Sequence, residues 1–149
     1  MKIRMILAAL LFTAATALGA GPGDIAGVWK TDGGDSQLEL FRCGDKMCGK
    51  ILWLKVPSYI DSHDGPVGTI KVDRKNPDPA LRNRPILGLQ VMKGLTATGN
   101  NRWGQGLCYD PETGRSYKCK MQLVSPHRLD LRGYIGISLI GRTFSLTRP

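Results

Sequence analysis

The chain has 149 residues, of which 42% are hydrophobic and 22% are charged, and its formal net charge is +9. This length suits one domain with a core of its own rather than two. No segment beyond residue 20 reaches the roughly 20 consecutive apolar residues that a membrane-spanning helix needs, so we expect no integral membrane segment in the mature form.

Residues 1–20 are predicted to be a secretory signal peptide. Lys2 and Arg4 make the start positive, residues 6–17 are apolar, and small residues follow, which is the order of a cleavable leader. No cysteine follows the apolar run, so no lipid anchor is expected. We therefore predict a periplasmic or secreted protein whose residues 21–149 form a single domain.

The charge points to a class of partner once the leader is set aside. Removing Lys2 and Arg4 leaves a net charge of 9 − 2 = +7. Outside the cytoplasm this favours anionic lipid, cell-wall polymer or a small anionic ligand as the partner, and we expect no nucleic acid.

The remaining chain shows short strand-like segments separated by turn residues. The one helix start is Asp78-Pro79, where Asp suits the N-cap and Pro the first helical position, and Pro85 limits this helix to a single turn. Residues 94–101 have the composition of a turn-rich gap. The pattern favours an all-β antiparallel barrel or sandwich. The strand-like segments are residues 27–31, 37–42, 50–56, 67–72, 86–92, 103–109, 115–123, 128–134 and 139–148.

The four cysteines fall into two local pairs. Cys43 and Cys48 bracket a tight loop, and Cys108 and Cys119 bracket the turn at residues 110–114. Four cysteines allow three connectivities, and we expect the two local disulfides because an exported protein meets an oxidising compartment. The alternative, a zinc site, lacks the ligand spacing of a zinc knuckle, and no metal is expected.

The second pair can be placed on its hairpin. If Asp110 pairs with Arg115 across the turn, Cys108 lies opposite Tyr117 and diagonal to Cys119. Diagonal neighbours on one face of an antiparallel pair are close enough to bridge.

Residues 73–88 carry the densest set of charged and conformationally restricted residues. Arg82 and Arg84, with Asn76 and Asp78 nearby, could bind a carboxylate, phosphate or sulfate, since Arg grips such groups with two parallel hydrogen bonds. The alternative is structural: the arginines pair with the aspartates of the stretch, while Asn76 and Asp78 cap their own loop. A calcium site at Asp73, Asn76 and Asp78 is a third possibility, but the EF-hand spacing is absent.

Signals for catalysis are weak. His63 and His127 lie in loop-like sequence, and Ser138 lacks the strand-to-helix context of a nucleophile elbow. We therefore expect a protein that is not an enzyme and that needs no cofactor.

The two ends of the chain favour a closed barrel. Trp29 lies on the first strand and Arg148 at the end of the last, and in a closed barrel these strands are neighbours. A guanidinium over an indole ring contributes roughly 0.5 to 2 kcal/mol. A G-x-W motif near the start with an arginine on the last strand resembles the calycin signature of lipocalin-like barrels.

Several motifs read together resemble one bacterial family. They are G-V-W, C-G-D-K-M-C-G-K-I, D-R-K-N-P-D-P-A-L-R-N-R-P-I-L-G, Y-D-P-E-T-G-R-S-Y, L-R-G-Y-I-G and L-I-G-R-T. Their order and spacing over nearly the whole mature chain are similar to the family designated domain of unknown function 2147. The resemblance implies an exported, lipocalin-like, up-and-down antiparallel β-barrel of about eight strands, and it implies no activity.

These observations predict a binding protein of the cell envelope. The strand at 50–56 is apolar on both faces, so it is either covered twice or lines a ligand cavity. We expect a small apolar or amphipathic ligand, including an anionic one. The alternatives are an envelope interaction module with a filled core that binds anionic lipid or cell-wall polymer and, third, an enzyme. The predicted cavity residues are Trp53, Trp103, Tyr117, Met121 and Phe144, with Arg82 and Arg84 at the mouth.

Overall fold

Eight strands form a closed antiparallel barrel in sequence order. A computed structural model describes residues 24–148, and the helical content of that part of the chain is one 3-10 turn, Pro79–Leu81. The predicted up-and-down barrel with a single short turn is therefore confirmed, whereas the predicted signal peptide lies outside the described residues. The strands are β1 (Gly27–Thr31), β2 (Ser36–Cys43), β3 (Lys46–Leu54), β4 (Gln90–Gly99), β5 (Arg102–Asp110), β6 (Arg115–Ser125), β7 (Arg128–Tyr134) and β8 (Gly141–Thr147).

The barrel has two unlike ends. At one end, which we call the mouth, lie the connections β1–β2, β3–β4, β5–β6 and β7–β8, and the β3–β4 connection is long, covering residues 55–89. The other end carries the short hairpin turns and the chain segment that enters β1. Within residues 24–148 no helix has the length and apolar character that crossing a membrane would require.

The packed core fills the barrel next to the end opposite the mouth. Trp29 is fully buried there, and its indole nitrogen donates to the Ile25 carbonyl at 2.8 Å. The Arg148 guanidinium lies 4.4 Å from the centre of the Trp29 ring and donates to the Asp24 carbonyl at 2.9 Å. The predicted contact between the first and last strands is thus present, and it closes this end of the barrel.

The β5–β6 hairpin has the predicted register. Asp110 lies opposite Arg115 and Cys108 opposite Tyr117. Side chains of β6 alternate between the interior and the solvent, with Cys119 fully buried, because consecutive residues of a strand point to opposite faces.

Both predicted disulfides are present. Cys43 bonds to Cys48 across the β2–β3 hairpin, with Cα atoms 5.9 Å apart. Cys108 bonds to Cys119 across β5–β6, with Cα atoms 6.0 Å apart. Each links diagonal neighbours on adjacent strands.

The strand order departs from prediction between β3 and β5. Residues 67–72 form no strand and contribute only isolated bridges, among them Ser58 with Ile70. The next strand is Gln90–Gly99 rather than residues 86–92. The strand therefore runs through most of the predicted gap at residues 94–101, because glycine, here Gly94 at φ 72°, lets a strand bend without ending.

Candidate functional site

A cavity of about 770 Å³ occupies the mouth half of the barrel. Leu38, Ile51, Val91 and Leu131, which also belong to the packed core, form its floor. Its walls come from the mouth ends of β5 to β8 and are mostly apolar or aromatic. The wall residues include Cys108, Tyr109, Tyr117, Gly133, Tyr134, Ile135, Ile140, Arg142 and Phe144.

Two of the described residues that line the cavity are charged. The Asp110 carboxylate accepts hydrogen bonds from the Glu112 backbone N–H and the Thr113 hydroxyl, each at 2.9 Å, so it is used within its own turn. Arg142 lies at the rim, opposite Gly133 on β7. No ion pair or hydrogen bond joins its guanidinium to another residue of the range 24–148. The cavity therefore combines an apolar interior with one unpaired cation at its mouth.

Tyr109 connects the cavity wall to the β3–β4 connection. Its ring lines the cavity, while its hydroxyl donates to the fully buried Asp73 carboxylate at 2.5 Å. Burial, followed by the bond to this carboxylate and its negative charge, raises the pKa of Tyr109 to about 12. Since the hydroxyl is already used, Tyr109 presents an apolar ring to the cavity.

Asp73 has two further partners. Asn76 donates to it at 2.7 Å, and Arg84 donates through Nε at 3.0 Å and Nη2 at 2.9 Å. A carboxylate removed from water needs a cation and several donors, and these three side chains supply them. We call Asp73, Asn76, Arg84 and Tyr109 the loop network.

The other residues predicted to bind an anion also hold the loop. Arg82 donates through Nε to the Asn76 carbonyl at 2.7 Å. The Asn76 side chain accepts from the Asp78 N–H at 2.9 Å, and Asp78 caps the 3-10 turn by accepting from Ala80 at 3.0 Å. Arg82 and Arg84 do not line the cavity. The expectation that they line the mouth of the cavity is corrected: Arg82 Nε serves a backbone carbonyl, and Arg84 Nε and Nη2 serve a carboxylate, within the stretch itself.

Two of the five predicted cavity residues, Tyr117 and Phe144, line the cavity. Trp103 and Met121 instead belong to the packed core beneath it.

Trp53 is corrected as well, because it lies exposed on the outer face of the barrel. A bulge is the physical cause. Leu38 pairs with Ile51 and Gln37 with Trp53, so Leu52 is an extra residue on β3. An extra residue in one strand reverses the inward and outward alternation beyond it.

Arg142 lines the cavity without being predicted to do so, although the sequence carries a signal for it. Phe144 and Leu146 share a face of the last strand, and the alternation carried two residues back places Arg142 on the same face. Ile135 and Ile140 were also missed, since they lie in a connection whose course depends on the neighbouring strands.

The metal alternatives find no support in the geometry. The four cysteines form disulfides, so they are not available as thiolate ligands for zinc. The Asp73 carboxylate is occupied by the loop network, and Arg84 places a cation against it, which disfavours calcium. Within the described range, no group of three or more His, Cys, Asp or Glu side chains is arranged to hold a metal ion.

Comparison with known proteins agrees with this architecture. One solved structure that resembles the chain is described as "Protein HP1028 from the human pathogen Helicobacter pylori belongs to the lipocalin family"; the TM-score is 0.71, with 22% identity over 85% of this chain and 83% of that chain. At that identity the likeness shows the fold alone. No protein of curated function matches the chain by sequence. The model of the family described as "Uncharacterized protein conserved in bacteria (DUF2147)" matches residues 27–148. The protein is therefore a member of the DUF2147 family with a lipocalin-like barrel.

Proposed function

We propose that this protein is an exported binding protein of the cell envelope, which holds a small apolar or amphipathic ligand in the mouth half of its barrel. The observation that supports this is the cavity of about 770 Å³ with a mostly apolar lining. Ligand sites of globular proteins have volumes of about 300 to 1,000 Å³ and are lined largely by apolar side chains with a few polar groups. Burying an alkyl chain in such a site is favourable by roughly 25 cal/mol per Å² of apolar surface.

The preferred ligand is an amphipathic anion. Arg142 is the unpaired cation at the rim, and it lines the cavity together with the ring of Phe144. A carboxylate at Arg142 with its hydrocarbon chain directed toward Leu131 would match both features. Because Arg142 is exposed to solvent, its contact with an anion is worth only about 1 kcal/mol, or about fivefold in affinity.

A hollow interior favours this function over an envelope module with a filled core. The disulfides are consistent with an oxidising compartment, which supports an extracytoplasmic location. The alternative of an envelope interaction module is based on the positively charged surface of the protein, which is a feature separate from the cavity.

Gly133 offers a direct test of the cavity. It lines the cavity, and a Cβ added there would meet only the Cβ of Tyr117, at an ordinary 3.8 Å. Gly133→Leu should therefore fill the cavity and abolish displacement of a fluorescent fatty acid by hexadecanoate, with the barrel still folded by circular dichroism. Gly99→Leu is the matched control, because an added Cβ there meets nothing within 4 Å and the residue lies on the opposite end of the barrel. Equal binding by wild type and Gly133→Leu would contradict the proposal.

The anion preference has its own test. Arg142→Gln should weaken hexadecanoate about fivefold and leave the neutral alcohol hexadecanol unchanged. Arg115→Gln, an exposed cation on β6 that does not line the cavity, should change neither affinity. If Arg142→Gln weakens the acid and the alcohol equally, Arg142 shapes the mouth and does not recognise charge.

A further inference from the structure

The β7–β8 connection carries an exposed apolar surface beside the cavity mouth. The exposed fractions are 64% for Ile135, 59% for Ile137, 85% for Leu139 and 71% for Ile140. Ile135 and Ile140 also line the cavity. Adjacent exposed apolar residues of this kind mark contact sites for proteins or membranes. We call residues 135–140 the apolar tip.

The backbone of the apolar tip is held in place by the outer face of β7. Arg132 donates through Nε to the Ser138 carbonyl at 2.6 Å and through Nη2 to the Leu139 carbonyl at 3.2 Å. Lys120 donates to the Ser138 hydroxyl at 3.1 Å. The exposed side chains are thus presented on a fixed backbone, so little ordering is needed when they bind a surface.

The positive charge of the described chain is concentrated on β6 to β8, the strands beside this tip, with Arg128 and Arg148 of this set at the opposite end of the barrel. Residues 115–148 hold seven basic side chains against one acidic, a net charge of +6, whereas residues 24–114 hold twelve against eleven, a net charge of +1. The one acidic side chain, Asp130, pairs with Arg128. Among the described residues no ion pair involves Arg115, Lys118, Lys120, Arg132 or Arg142. The neighbouring turn adds Asp110 and Glu112, so the attraction for anions belongs to β6–β8 and not to the whole rim.

We propose that the apolar tip inserts into the interface of an anionic lipid bilayer, with the cations of β6–β8 against the phosphate head groups. Exposed apolar side chains flanked by cations bind such interfaces through burial of apolar surface and attraction to anionic lipid. The cavity mouth then faces the bilayer. If the proposed function also holds, an amphipathic ligand passes between membrane and cavity without crossing bulk water.

Charge selects the bilayer over a second copy of the chain as the occupant. Self-association through the tip brings together two surfaces that each carry cations without an ion pair in the described range, namely Arg115, Lys118, Lys120, Arg132 and Arg142, and like charges in contact are repelled. An anionic bilayer buries the same apolar side chains and neutralises the cations.

The experiment is flotation of the protein with lipid vesicles, in the absence of added ligand. We expect binding to phosphatidylcholine vesicles that contain about a quarter phosphatidylglycerol, and little binding to phosphatidylcholine alone. Raising the salt from about 0.1 M to about 1 M shortens the Debye length from about 10 Å to about 3 Å and should release the protein.

Paired variants separate the two contributions. Ile137→Ser with Leu139→Ser should weaken vesicle binding about tenfold, while Val124→Ser, an exposed apolar residue near the end of β6 opposite the mouth, should leave it unchanged. Arg115→Gln with Lys118→Gln should weaken binding about fivefold per cation removed. Lys46→Gln with Lys93→Gln, exposed cations elsewhere on the barrel, is the control for total charge.

Three outcomes would overturn the proposal: equal binding to neutral and anionic vesicles, equal losses in the tip and control variants, or a concentration-dependent dimer in sedimentation that Leu139→Ser abolishes. The Gly133→Leu variant, in which the cavity is filled, tests vesicle binding separately from ligand binding. A variant with a filled cavity that still binds vesicles supports the membrane surface even if the proposed function fails.

Discussion

Asp73 shows how single residues tie the mouth of the barrel together. It is fully buried and carries a charge that only its three side-chain partners stabilise. Tyr109 and Arg84 reach it from different parts of the chain, and the Arg84 guanidinium also lies 6.0 Å from the Tyr109 ring centre. Removing one partner of a buried charge costs more than the net contribution of the bond, because the charge is left under-solvated.

Tyr109→Phe should lower the free energy of unfolding by about 1 to 3 kcal/mol at neutral pH, since it leaves Asp73 with one donor fewer. Tyr134→Phe is the control, because the Tyr134 hydroxyl makes no hydrogen bond within the described range. That change should stay within about 0.5 kcal/mol. Urea unfolding curves of both variants provide the measurement, and similar losses would argue against a special role for Tyr109.

The same residue gives a pH dependence. Because the pKa of Tyr109 is raised from 10.0 to about 12, the fold favours the protonated phenol. Its contribution to stability is complete below pH 10 and is lost as the pH rises toward 12. Unfolding measured at stepped alkaline pH should show a decline for the wild type that is smaller in Tyr109→Phe. Identical alkaline slopes would show that Tyr109 does not titrate in this window.

At the scale of elements, the β5–β6 turn and the β3–β4 connection fit together through a glycine. Gly114 has φ 72°, and a Cβ added there would lie 2.0 Å from the Lys75 carbonyl oxygen. The turn closes on this residue because its N–H donates to the Asp110 carbonyl at 2.8 Å. The contact fixes the long connection beside the mouth, and no side chain fits between the two backbones.

Gly114→Ala should therefore destabilise by more than its backbone conformation alone requires. Gly44→Ala is the matched control, since Gly44 has φ 64° and open space around an added Cβ. It should cost the left-handed penalty of about 1 to 2 kcal/mol. Gly114→Ala should add about 1 to 3 kcal/mol for overpacking, measured by urea unfolding. Equal costs would mean that the connection moves away freely.

For the whole molecule, the closure between β1 and β8 is the weakest seam of the barrel. Only Lys30 with Thr147 and Thr31 with Leu146 are paired there, whereas β7 and β8 share seven residue pairs. The contact of Arg148 with Trp29 reinforces this seam from outside the ladder. Local opening is easiest where few backbone hydrogen bonds and packed contacts must break together.

Hydrogen exchange should find this seam less protected than the ladder between β5 and β6. Arg148→Ala should cost about 1 to 2 kcal/mol, because it removes the cation over the indole ring and the bond to the Asp24 carbonyl. It should also speed exchange at β1 and β8 before β5 and β6 respond. Arg128→Ala, which removes a cation of the exposed Asp130 pair, should leave the exchange pattern unchanged; uniform loss of protection in Arg148→Ala would contradict a local seam.

The sequence alone determined those features that depend on near neighbours in the chain. Alternation along residues 115–123 fixed which side chains of β6 enter the barrel, and the turn at 110–114 set the register that places Cys108 beside Cys119. Asp78 provides the N-cap of the helix, and Pro85 limits the helix to one turn because proline has no backbone N–H to donate. In each case the deciding interaction lies within a few residues or within one hairpin, so composition and spacing were sufficient.

Tertiary structure alone decided the site. The bulge at Leu52 depends on how β3 pairs with β2, and it turned Trp53 outward. The cavity exists because side chains from distant strands leave space beside Gly133, and Arg142 became a site residue only when β8 closed against β7. In the sequence Arg84 is a candidate for binding an anion. In the folded chain it pairs with the buried Asp73 carboxylate, to which Tyr109 and Asn76 also donate. A cavity volume and an ion pair of this kind depend on residues from strands far apart in the sequence, so they are determined only once the barrel has closed.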